Sequence, residues 1–76
     1  MIKNKRIMIT GGSGFIGTNA IAYFSENNEV LNIDFKEPRN KKHKPFWKKA
    51  DILDKNELSK AIKSFDPHYF IHLARV

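Results

Sequence analysis

Apolar residues follow two rhythms along this chain. Arg6-Ile7-Met8-Ile9-Thr10 is a short β-branched run without polar alternation, stopped by glycines, which is the pattern of a strand buried on both faces of a parallel sheet. From Phe15 the period lengthens. Ile16, Ala20, Tyr23 and Phe24 recur at helical spacing until Asn27-Asn28 ends the pattern, predicting a helix of about three turns. Val30-Leu31-Asn32-Ile33-Asp34 reads as a second strand, followed by a basic loop punctuated by Pro38 and Pro45. Phe46 to Ala50 is a candidate for a short third strand. Asp54 stands three residues before Glu57 in the spacing of a capping box, and Leu58, Ile62 and Phe65 then repeat at i, i+4 and i+7, so a second helix is expected here. Pro67 forbids its continuation, and His68 to Ala74 reads as a fourth strand.

The order strand, helix, strand, loop, strand, helix, strand predicts an α/β fold of about four parallel strands and two main helices joined by right-handed crossovers. A fourth strand returning to the far side of the first gives the sheet order 3-2-1-4. One helix then covers each face, which leaves apolar area uncovered on both sides. The expectation is the opening half of a doubly wound domain, residues 1-76, whose second half is absent.

Composition narrows the class without naming it. Seventy-six residues with 41% hydrophobic and 29% charged side chains make an ordinary globular chain too short for more than one domain, and marginal stability is expected. There is no cysteine, hence no disulfide or thiolate metal site, which fits a reducing compartment. The basic start is followed only by Ile7-Met8-Ile9 before the glycines, so no secretory signal is readable, and no stretch approaches the roughly 18 apolar residues of a membrane-spanning helix. A soluble, cytoplasmic protein is the expectation. Half of the fourteen basic residues fall between Lys36 and Lys49, against one acid, Glu37. The net charge of +6 is therefore local.

The chemistry concentrates at the first strand's exit. Gly12-Ser13-Gly14-Phe15-Ile16-Gly17 satisfies G-x-G-x-x-G between a strand and a helix, and Thr10-Gly11 extends it. The first glycines permit a tight turn with positive φ, Gly14 lets backbone approach a pyrophosphate, and Gly17 lets the helix pack closely against the strand. Free amides at the helix start then face an anion. The plainer reading is a glycine turn joining strand to helix. Asp34 ends the second strand, twenty residues after Gly14, where a carboxylate accepts both hydroxyl hydrogens of an adenosine ribose and repels a 2′-phosphate. That favours NAD over NADP, while Lys36 and Arg39 just downstream keep NADP open. The plainer reading of Asp34 is a strand-end aspartate capping a turn.

Thr10-Gly-Gly-Ser-Gly-Phe-Ile-Gly17, Asp34, Asp51-Ile52 and His72-Leu-Ala74 together resemble the extended short-chain dehydrogenase/reductase family, the NAD-dependent epimerases and dehydratases of nucleotide sugars. The resemblance covers essentially the whole chain and corresponds to the N-terminal, Rossmann portion of that family's cofactor domain. It implies that the backbone amides of Phe15 and Ile16 meet the pyrophosphate beside Gly11, Gly14 and Gly17, and that Asp34 holds the adenosine ribose. Asp51 and Ile52 would recognise the adenine edge, the carboxylate accepting the exocyclic amine and the Ile52 amide donating to a ring nitrogen. Leu73 and Ala74 would line the cofactor near its second ribose. The family pattern continues with a second alanine where this chain has Arg75.

The resemblance also implies a catalytic Tyr-x-x-x-Lys pair, which these residues lack. Tyr23 is followed four residues later by Asn27 and Tyr69 by Leu73, and both tyrosines read as core aromatics. No catalytic residue is assigned. His43 belongs to the basic loop, His68 starts a strand, and His72 reads as a hydrogen-bonded core imidazole; none has metal-motif spacing with an acid. Two readings from other classes stay open. One is a small basic module using residues 36-49, with Phe46 and Trp47, to hold phosphate backbones or bases, for which a charge run without a binding fold is weak ground. The other is a half-domain that acts only when self-association or a partner chain covers its sheet faces.

Overall fold

The computed structural model describes residues 2-73. The chain runs as β1 (Arg6–Thr10), α1 (Phe15–Phe24), β2 (Glu29–Asp34), a 3-10 helix (Lys41–Phe46), β3 (Trp47–Lys49), α2 (Lys55–Phe65) and β4 (Tyr69–His72). All pairings are parallel, in the order β3-β2-β1-β4, as the element order predicts. The fold is α/β with the strand order of a partial Rossmann domain.

β1 lies between β2 and β4, and its lack of polar alternation has a direct cause: both of its faces are covered. Ile7 and Ile9 pack with Ile21 of α1 and Val30 of β2, while Met8 packs on the other side with Ile33, Ala50 and Ala61 of α2. Side chains alternate across a strand, so one apolar run supplies two cores. At roughly 25 cal/mol per Å² of apolar surface removed from water, this central strand anchors the domain.

α1 corrects the predicted stripe. Ile16 and Tyr23 are 69% and 63% exposed. The buried side is Gly17 and Ile21, with Ala20 and Phe24 half-buried beside them. The helix is apolar nearly all round, so two stripes fit its sequence. Close approach at Gly17 selects one: a Cβ there would lie 2.4 Å from the Gly12 Cα. Tyr69 is likewise no core aromatic. It is 47% exposed because β4 takes the edge of the sheet.

The remaining differences lie in the connections. The segment expected as an irregular loop contains the 3-10 helix, which starts with the Asn40 side chain accepting from the Lys42 amide at 3.0 Å and carries Pro45 inside it. His43, read as part of the basic loop, is buried there, as is Pro38. His72 is hydrogen-bonded as expected, Nδ1 to Thr10 Oγ1 at 2.5 Å, but its ring is exposed, again because β4 is an edge. The capping box forms in half. Asp54 accepts from the amides of Asn56 and Glu57, while Glu57 reaches back to the amide of Asp51 rather than that of Asp54. No helix among the described residues is long and apolar enough to cross a membrane.

Candidate functional site

The turn after β1 shows why each glycine stands where it does. Gly11 has φ 73°, a left-handed conformation that disfavours any residue with a Cβ. Gly12 is wedged: a Cβ on it would meet the Asn32 side chain at 2.5 Å. Gly14 differs from both. It caps α1 in an extended conformation, φ −83° and ψ −175°, that any residue adopts, and a Cβ there would meet nothing within 4 Å. Neither backbone geometry nor packing within the chain requires a glycine at this position.

A polar network fixes the turn against β2. Asn32, fully buried in the strand, accepts from the Gly12 amide at 2.8 Å and donates through Nδ2 to Ser13 Oγ at 3.2 Å. Ser13 Oγ donates to the Lys36 carbonyl at 2.7 Å, and the Ser13 amide donates to Asp34 Oδ2 at 3.0 Å. The Lys36 amide donates to the other oxygen, Oδ1, at 3.1 Å. Asp34 thus caps its own turn, as the plainer reading held, and also ties the glycine turn to the end of β2. Trp47 locks the same corner from β3 by donating Nε1 to the Asp34 carbonyl at 2.9 Å. Such buried groups persist because each has a partner; leaving one unpaired would cost about 1–3 kcal/mol.

α1 starts at this turn without a side-chain cap and without an acid in its first turn. Its first amides have no intrahelical acceptor, and with the helix dipole they make this end attractive to an anion. Around it lies a cleft of two adjoining lobes at the C-terminal ends of the strands. The smaller, about 240 Å³, is lined by Gly11, Gly14, Phe15, Ile16, Gly17 and Leu73. The larger, about 510 Å³, shares Gly11, Gly14 and Leu73 and adds Asp34, Asp51, Ile52 and Leu53 with Phe35 and Lys36. Asp51 uses Oδ1 to accept from the Leu53 amide at 2.9 Å.

Every site residue expected from the sequence that falls among the described residues lines this cleft: Gly11, Gly14, Phe15, Ile16, Gly17, Asp34, Asp51, Ile52 and Leu73. Ala74 lies outside the described residues. Sequence reading does not single out Asn32, Ser13, Phe35 or Leu53. A lone asparagine inside an apolar strand was the available signal for the first. Phe35 and Leu53 carry no local signal, since an exposed apolar residue in a loop is common. Among the described residues no cluster of three or more His, Asp or Glu side chains could hold a metal ion.

An open crevice at the C-terminal edge of a parallel sheet, beside an uncapped helix start, defines the class of doubly wound nucleotide-binding domains. The chain belongs to the NAD dependent epimerase/dehydratase family, whose pattern matches residues 7-76. It is 39% identical over 80 residues to a probable dTDP-glucose 4,6-dehydratase of Sinorhizobium fredii, covering 91% of this chain and 23% of the relative. It is also 31% identical over 74 residues to methionine adenosyltransferase 2 subunit beta of Bos taurus, covering 96% and 21%. Among solved structures, the Bordetella bronchiseptica enzyme WbmG in complex with NAD superimposes with a TM-score of 0.83 at 29% identity, covering 97% of this chain and 26% of that one. The chain spans about a quarter of the length of these relatives.

Proposed function

We propose that residues 1-76 form the N-terminal part of a dinucleotide-binding domain and hold the ADP portion of NAD. The observation that carries this reading is the pairing of an uncapped α1 start, bared further by Gly14, with Asp34 in one cleft. The amides of Phe15 and Ile16 would donate to the pyrophosphate. Asp34 keeps acceptor capacity beyond its two amide bonds, since a carboxylate offers about four lone-pair sites, and would take the adenosine ribose hydroxyls. Asp51 and Ile52 would meet the adenine edge, and Leu73 with Ala74 the second ribose. When bound, NAD supplies a hydride acceptor; this chain's own residues position its ADP end and bring no proton-transfer pair, because neither tyrosine has a lysine four residues on.

For the whole protein the proposed activity is epimerisation or dehydration of a nucleotide sugar, supported by the family and by the named activity of the Sinorhizobium relative. Substrate contacts are assigned to none of these 76 residues. A second reading has its own observation. Phe15, Ile16, Tyr23, Tyr69 and Phe70 are all exposed, and apolar surface of that kind marks a place that further polypeptide covers. A strictly monomeric chain that binds no apolar dye would count against it.

Calorimetric titration of the folded chain with NAD and ADP-ribose tests the first reading. Asp34→Ala is expected to weaken both by tenfold or more, but it also frees the Ser13 and Lys36 amides. Gly14→Val is the cleaner variant, since the Cβ it adds meets nothing within 4 Å. Lost binding with an unchanged melting temperature is the expected result. Wild-type binding by a folded Gly14→Val chain would sink the reading.

A further inference from the structure

All of the chain's net charge resides in one short stretch. Residues 38–50 hold six cationic side chains and no acid, while the other eight basic residues are matched by the chain's eight acids. The contrast with the α2 region is direct: between residues 51 and 66, Lys55, Lys60 and Lys63 stand among Asp51, Asp54, Glu57 and Asp66. In the basic stretch only Lys44 is neutralised, by Glu37 at 2.6 Å. Arg39, Lys41, Lys42, Lys48 and Lys49 are exposed and enter no ion pair among the described residues.

The fold turns this run of charge into a fixed surface. A 3-10 helix has three residues per turn, so His43 and Phe46 share one face while Lys41 with Lys44 and Lys42 with Pro45 take the other two. His43 is buried, its ring centroid 6.1 Å from that of Phe46, and Phe46 packs against the cluster of Ile7, Ile9, Ile21 and Val30. The helix is thus pinned from within, capped by Asn40 and followed without a break by β3. β3 is an edge strand on which Lys48 and Lys49 project to opposite faces, as register partners of Ile33 and Asp34.

Lysine on an edge strand also deters strand pairing, but Arg39, Lys41 and Lys42 lie off the strand and need another reason. An anionic lipid surface calls for apolar groups beside the charges, and the exposed aromatics of β4, Tyr69 and Phe70, stand at the opposite edge of the sheet. A single-stranded nucleic acid calls for free rings on which bases stack. Phe46 is packed inward, Trp47 is half-buried with Nε1 donating to the Asp34 carbonyl, and Phe35 holds the Lys49 ammonium 5.2 Å from its ring centroid. What remains is charge alone. Its match is a rigid line of dense negative charge, and duplex DNA carries one such charge per roughly 1.7 Å of helix axis.

We infer that the outer faces of the 3-10 helix and the β3 edge bind the phosphate backbone of duplex DNA, whatever its sequence, through Arg39, Lys41, Lys42, Lys48 and Lys49. None of these five residues lines the cleft. The surface therefore acts without a bound dinucleotide.

Fluorescence anisotropy of a labelled 16-base-pair DNA duplex, titrated with the full chain at pH 7.5, tests this. Affinity is expected to fall with salt at a log–log slope of about −3, since each neutralised phosphate contributes about −0.9; a slope shallower than about −1 would overturn the proposal. Lys41→Gln combined with Lys42→Gln is expected to weaken binding at least fivefold. Lys60→Gln combined with Lys63→Gln removes the same charge from α2 and is expected to stay within twofold of wild type. Equal losses in the two pairs would reveal attraction by net charge alone and sink the assignment. Gly14→Asp is also expected to stay within twofold; a larger loss would place the phosphates at the start of α1 instead. Sixteen-residue oligothymidine bound as tightly as the duplex would overturn the choice of partner, as would no binding at 50 mM salt by a chain shown by circular dichroism to be folded.

Discussion

The two helices begin in opposite ways. α2 starts on Asp54, whose carboxylate accepts from the amides of Asn56 and Glu57, and Glu57 adds an acid to the first turn. α1 starts on Gly14, with no side-chain cap and no acid in its first turn. Both helices face the same physical demand, since the first amides of any helix lack intrahelical acceptors. α2 meets it from its own sequence. α1 leaves it open, at the edge of a cleft that also holds Asp34. The difference separates a helix that serves the fold from one whose end is available to an anion.

The most damaging way to break this contrast is to move α1 off the strand. Gly17→Ala would push a Cβ to 2.4 Å from the Gly12 Cα and 2.6 Å from its carbonyl carbon. Backbone cannot step aside as a flexible side chain can, so a loss of about 2 to 3 kcal/mol is expected, in the range of overpacked cores. Urea unfolding monitored by circular dichroism measures it, and an unchanged midpoint would show that α1 can shift without penalty. For a chain this short such a loss is a large part of the total stability.

A subtler variant gives α1 the kind of start that α2 has. Gly14→Asp supplies a carboxylate able to accept the first-turn amides, and replacing glycine by aspartate at a helix cap stabilises by about a few tenths of a kcal/mol. The same carboxylate would stand where the pyrophosphate is proposed to lie. Binding of NAD or ADP-ribose is expected to weaken at least tenfold, about 1.4 kcal/mol, while the melting temperature holds or rises slightly. Stability and binding moving together in this variant would argue that α1 is an ordinary helix start.

The smallest effect is expected from the converse change. Asp54→Ala removes the cap of α2 and should lower stability by about 1 kcal/mol, leaving ligand affinity unaltered when compared under conditions where both proteins are folded. An accompanying change in affinity would mean that α2 and the Asp51–Leu53 turn before it are coupled to the cleft more tightly than the contrast allows.

Much of this was legible in the residues because the forces concerned are local. The uninterrupted apolar run Ile7-Met8-Ile9 announces a strand covered on both faces, and one residue of the trio goes to the α2 side while two go to the α1 side. The glycine spacing marks the turn. Asp34 stands one strand away at the expected distance. Harder to read was α1, where Ile16 and Tyr23 look as suited to burial as Ile21 and Phe24. Bulk suggests one stripe, and the contact at Gly17 imposes the other. Tyr69 was misread for a different reason: the order 3-2-1-4 already puts β4 at the edge of the sheet, where an aromatic is left 47% exposed rather than enclosed in a core.

The amino-acid sequence by itself determined the element order and the parallel topology, because hydrophobic period, glycine conformation and helix breaking are properties of short segments; the glycine motif and Asp34 marked one part of the cleft, and the family resemblance pointed to Asp51, Ile52 and Leu73. Only the tertiary structure decided that Asn32 and Ser13 bind the glycine turn to β2, that Trp47 closes the same corner, and that Lys49 stands beside Asp34. These relations join residues from separate elements, between thirteen and twenty-one positions apart, and they exist only once strand pairing has set the register. A strand's register is a collective outcome of burial on both of its faces. No single segment carries it.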